Sequence, residues 1–161
     1  MNIFYLDPCP HKSARFMYNK HVVKMILESA QLLCTAHREL GNDNVPYVST
    51  HSNHPSAIWT RSDGHHYQWV YLHMIALGEE YKRRYNREHL TIKKCREVLA
   101  DFPPNIPFYG FSQPPQVMPD QYKSECSVDA YWNYYVGDKH RIANTNEKIK
   151  THEDRFADVS Y

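Results

Sequence analysis

The stretch 20-KHVVKMILESAQLL-33 decides how the chain is read. At 100° per residue, with His21 at zero, Glu28 falls at about 340°, Lys24 at about 300° and Gln31 at about 280°. The four polar side chains therefore form one thin stripe. Val22, Val23, Met25, Ile26, Leu27, Leu32 and Leu33 take the remaining directions. A surface helix carries a broad polar face. This one is apolar nearly all round, which predicts a buried helix whose polar seam faces a cleft or an interior polar group. Buried charges are costly unless paired. Lys24 and Glu28 stand i,i+4 and can pair with each other. The alternative is a cleft in which Glu28 works as an acid or base and a lysine as a nucleophile.

Outward from this stretch, the helix is expected to run from about Ser13 to Leu40, stopped by Gly41. Residues 2–7 are short and extended in character, and Pro8 and Pro10 bar an earlier helix. Asn53 or His54 can cap a short helix with Pro55 in its first turn. A second long helix is expected after 62-SDG-64, ending near Asn86. Thr91 can cap a third over 92–102, and Ser127 a last one over 128–137. Between these, 103-PPNIPFYGFSQPPQVMP-119 holds six of the ten prolines and the aromatics Phe108, Tyr109 and Phe111. A loop of this length is either functional or a strap over helices. Convincing strands are scarce. The fold class is all-α: a compact single domain, residues 1–161, of two long helices plus shorter ones, with a long proline and aromatic loop. The polar tail from Asn144 onward is expected to be partly mobile.

Lys+Arg 19 against Asp+Glu 18 gives a formal charge of +1, so any contact with nucleic acid needs a local patch. Lys82, Arg83, Arg84 and Arg87, at the end of the second long helix, offer one. The 13 Tyr and 11 His suit a recognition surface or a polar pocket. Four cysteines are scattered without a CxxC pair, which argues against a zinc knuckle. No signal peptide or membrane span is evident, and a cytoplasmic, reduced protein is expected. His66, His73 and Glu80 repeat the heptad spacing of His21 and Glu28, with Trp69 beside them, so the two long helices could face one polar pocket. His51, His54, His66, His73, Glu28 and Glu80 supply metal-ligand types, but not in HxxxH or HExxH register. No metal and no cofactor are expected.

The segment KHVVKMILE, with His21 and Glu28 seven apart, resembles the first long helix of the pyrimidine dimer DNA glycosylases of the phage endonuclease V type. The segment 66-HYQWVYLHMIALGEEYKRRYN-86 resembles that family's second long helix, and 131-YWNYYVG-137 its C-terminal aromatic and glycine motif. The three occur in the family's order. The resemblance implies a compact helical fold and an enzyme that cleaves the bond between a base and its sugar. In the family a free N-terminal amine attacks the sugar carbon, the Glu assists, and the strand is cut by elimination. Carried over, this makes Glu28 and His21 catalytic, with the nucleophile among Met1, Lys24 and Lys20. Tyr131, Trp132, Tyr134 and Tyr135 are then expected to face DNA, with Lys139 and Arg141 on phosphates. Gln31 and Leu27 stand where the family carries arginines, and Asn2 follows Met1 where the family exposes a small residue. The expected partner is damaged or modified double-stranded DNA. The alternative is a nucleotide or modified-base binder on the same scaffold, with His21, His66, Trp69 and His73 lining its pocket and the proline loop as a lid.

Overall fold

A computed structural model describes residues 1–158 and shows an all-helical chain, with no strand among the described residues. The helices are α1 (Pro10–Phe16), α2 (Asn19–Glu39), α3 (Pro55–Ser62), α4 (Gly64–Tyr85), α5 (Leu90–Cys95) and α6 (Ser127–Gly137). The two long ones, α2 and α4, pack along each other, α1 crosses α4, and α3 lies against both. At Gly78 a Cβ would stand 2.7 Å from Ile92 Cγ1, so α4 needs glycine there to approach α5. No described helix is long and apolar enough to cross a membrane.

The single helix expected over Ser13–Leu40 is two. Met17 and Tyr18 are extended, with ψ of 145° and 152°, although neither Gly nor Pro marks the break. Tertiary bonds make it. Arg84 donates from Nη1 to Met17 O (2.8 Å) and from Nη2 to Arg15 O (3.2 Å), satisfying carbonyls at the end of α1. Tyr18 N donates to the hydroxyl of Tyr135 at 2.9 Å. Two caps also differ from expectation. His89 rather than Thr91 caps α5, accepting from Thr91 N (3.2 Å), and that helix is short, followed by a 3-10 turn at Val98–Ala100. Ser127 lies inside α6; its hydroxyl donates to Pro114 O (2.8 Å), tying the helix to the proline loop.

Residues 3–6 run through the core, all four buried. Phe4 sits at φ 55°, the left-handed region that aromatic side chains rarely adopt. Its carbonyl accepts from Leu6 N (2.9 Å) and from Ser13 Oγ (3.1 Å), so the bend is fastened to α1. The polar tail is tied back. Glu147 accepts from Asn19 N (2.7 Å), Lys150 N donates to Tyr18 Oη (2.8 Å), and Arg155 pairs with Asp129. The last three residues of the tail, 159–161, lie outside the described residues.

Two buried histidines make stability depend on pH. Burial pushes His21 down to about 3, with the charges of Lys139 and Lys24 adding to it. Burial likewise pushes His73 down to about 3, with His11 adding. Both are neutral in the folded protein at pH 7. In the unfolded chain they titrate near the ordinary histidine value, so between there and about 3 the unfolded state holds more protons. Stability therefore falls as the pH falls through this window, by up to about 1.4 kcal/mol per pH unit for each ring. Urea midpoints at pH 7 and pH 5 should show the drop, and His73→Leu should reduce it by the share of that ring while His21 keeps its own.

Candidate active site

The bend at Phe4 returns residues 1–3 to α2. The amine of Met1 lies 3.5 Å from Glu28 Oε1, while the Met1 side chain is only 2% exposed. Met1 as a whole is half-buried, so its exposure lies on the main chain. The Glu28 side chain is 17% exposed. Its Oε2 is buried and has no hydrogen-bond partner in the protein. One carboxylate oxygen therefore faces the amine and the other is uncommitted, as a proton acceptor in a catalytic pair needs to be.

His21 supports this arrangement from about two turns below. The Tyr135 hydroxyl, which accepts from Tyr18 N, shares a hydrogen bond with His21 Nδ1 at 2.9 Å. The Phe4 ring stacks on His21 with centroids 4.2 Å apart, and Lys139 Nζ stands 5.9 Å from the Phe4 ring and 4.8 Å from that of Tyr134. His21 thus fixes the bend that aims the amine. On the other side His54 caps α3, its Nδ1 accepting from Ser56 N at 3.1 Å. Burial lowers its pKa, the Met1 amine and His51 lower it further, and Glu28 opposes them, so its ring lies within the field of both the amine and the carboxylate. Sequence reasoning saw His54 as a cap and a metal-type ligand, not as a neighbour of the pair; its position preceding Pro55 carried no hint of that.

The structure separates several residues that the sequence had grouped. Among the described ion pairs Glu28 meets the Met1 amine and not Lys24. Lys20 and Lys24 are exposed on α2, with Leu27 exposed and Gln31 half-buried on the same helix. The residues of the second seam are engaged elsewhere in the protein. His66 donates from Nδ1 to Trp59 O (2.8 Å) and accepts at Nε2 from Ser112 N (2.9 Å). Trp69 donates to Pro8 O at 2.8 Å, and His73 is buried against the Trp69 ring. Glu80 is buried; burial alone would raise its pKa, but Arg83, Arg84 and Arg15 outweigh that and hold it below the usual range. The same pairing consumes Arg83 and Arg84 from the expected basic patch, and Arg87 donates to Tyr81 Oη. Tyr131, Trp132 and Tyr135 are fully buried, against the expectation that they face DNA; Tyr134 is half-buried and Lys139 lies on its ring. Arg141 is exposed and paired with Asp138. Among the described residues no group of three or more His, Cys, Asp or Glu converges on a metal-sized site.

The helical chain thus folds its first residue back against a carboxylate on its first long helix, setting an amine beside an acid. The model of the pyrimidine dimer DNA glycosylase family matches residues 1–93, which include Met1, His21, Glu28 and all of α4, and the chain belongs to that family. No curated protein and no solved structure matches the chain. As a member of a DNA glycosylase family, it has DNA as its substrate class.

Proposed function

We propose that this chain is a glycosylase with an abasic lyase step, acting on damaged or modified pyrimidines in duplex DNA, with the Met1 amine as nucleophile and Glu28 as its acid–base partner. The observation that carries this reading is the 3.5 Å approach of the amine to Glu28, with the second carboxylate oxygen free. Glu28 takes a proton from the amine, whose nitrogen attacks C1′ as the bond to the base breaks. The base leaves with that electron pair and gains a proton. Opening of the sugar ring yields an imine between Met1 and C1′. Removal of a C2′ proton then expels the 3′ phosphate by elimination, and water releases the sugar from the amine. A flipped nucleotide is needed to expose C1′. In this reading Lys20, Lys24 and Gln31 on α2 meet the strand, and Lys139 with Tyr134 meets the backbone and a base. The pocket reading of His21, His66, Trp69 and His73 is disfavoured because all four are buried and packed within the protein.

Borohydride trapping tests the chemistry. With DNA carrying pyrimidine dimers, abasic sites or modified pyrimidines, a covalent adduct is expected on the peptide that contains Met1, and Lys24→Ala should still give it. An adduct on Lys20 or Lys24 would move the nucleophile to α2, and no adduct with any of these DNAs would overturn imine chemistry.

A further inference from the structure

The proline loop lies beyond the residues that the family model covers, and it is fastened to α3, to the start of α4 and to Asn2. Gly64 N donates to Pro107 O at 2.7 Å. Tyr109 N and Gly110 N both donate to Asp63 Oδ2, at 2.6 and 2.9 Å. Trp59 Nε1 donates to Ser112 O at 3.1 Å, and Phe111 packs on Tyr5 and Trp59 with centroids 6.3 and 5.8 Å away. Asn2 Nδ2 donates to Val117 O at 2.8 Å. The loop therefore descends beside α3, from Asp63 at its C-terminal end to the residue next to the Met1 amine.

Its upper end is built to stay where it is. Burial opposes the charge on Asp63, but hydrogen bonds from Gly110, His65 and Tyr109 outweigh it and hold the carboxyl well below the usual range. The Phe108 ring sits against Gly64, where a Cβ would stand 2.0 Å from its Cε1. Only glycine lets that ring seat there. This firm stem holds aromatic rings outward: Phe108 is 55% exposed and Tyr109 91%. Rings presented on a fixed backbone stack on bases with little further loss of freedom. α3 is eight residues long, about 12 Å, which is three to four steps of a DNA strand at about 3.4 Å each.

We propose that Tyr109, backed by Phe108, stacks on bases three to four steps from the reacting nucleotide, making the proline loop a second DNA contact on one flank of the lesion. The proposal rests on DNA being the partner of the Met1–Glu28 site. The test uses the full chain with duplexes that carry a stable abasic analogue and 2-aminopurine at one to six steps on either side. The wild type should give a fluorescence change that peaks three to four steps away on one side only. Tyr109→Ala should remove that peak and weaken binding about tenfold, with an unchanged melting temperature, and Tyr109→Phe should restore both. Equal binding and an equal fluorescence profile for Tyr109→Ala would overturn the proposal. So would a wild type that sediments as a dimer and becomes monomeric in Tyr109→Ala with its DNA affinity unaltered, since the rings would then serve a second copy. A fluorescence peak without any trapped adduct would leave the stacking contact standing and remove the imine chemistry. A trapped adduct without the peak would do the reverse.

Discussion

Glu28→Gln is expected to lower base release and strand cleavage by about 10²–10⁴-fold, the range for loss of a positioned acid–base group, while the unfolding transition stays in place. The amide keeps the shape of the side chain and removes its capacity to take a proton from the Met1 amine, 3.5 Å away. Stability should move little. The pair is partly open to water, and such ion pairs contribute about 0–1 kcal/mol. Single-turnover cleavage of dimer-containing and abasic duplexes, run beside urea unfolding of the same preparation, separates the two quantities. Activity that survives would place the acid–base group elsewhere, with His54 the next candidate. A protein that unfolds would make the Met1–Glu28 contact a structural ion pair.

The α2 stripe shows what the sequence could and could not disclose. Periodicity set His21, Lys24, Glu28 and Gln31 on one line of a mostly apolar helix, and the helix is there. The resemblance offered Met1 among three amines as the partner of Glu28, but the residues alone could not single it out, because residues 1–3 reach α2 only through the left-handed bend at Phe4. Nothing in the letters MNIFYL announces that bend. It is imposed by the Ser13 hydroxyl on the Phe4 carbonyl and by the His21 ring beneath Phe4. The break between α1 and α2 was hidden for a similar reason. Arg84, 67 residues after Met17, supplies the donors that end α1. Glu80 was read as part of a second polar seam because its spacing matched, but spacing does not reveal that three arginines already surround it. The family motifs identified the class of enzyme more reliably than they placed individual side chains.

The C-terminal aromatic motif is where that difference is largest, and Trp132→Ala measures it. Trp132 is fully buried. Its Nε1 donates to Leu6 O at 2.7 Å, and its ring meets Phe16 edge-on at 5.2 Å. Truncation to Ala leaves a cavity and an unpaired carbonyl, with an expected loss of about 3–5 kcal/mol. That is a large share of the 5–15 kcal/mol that typically holds a domain together. Leu6 belongs to the segment that carries the Met1 amine, so a loosened core also unmoors that amine. DNA affinity should consequently fall in step with the folded fraction and recover at low temperature or in stabilising osmolyte. Tyr134→Ala should behave differently. That ring is half-buried beneath Lys139, and its loss should weaken binding at every temperature while costing less stability. The pair of urea curves and the pair of binding curves decide the matter. A Trp132→Ala protein that keeps its urea midpoint but loses DNA affinity would return the indole to the DNA face, where the family motif alone would have put it.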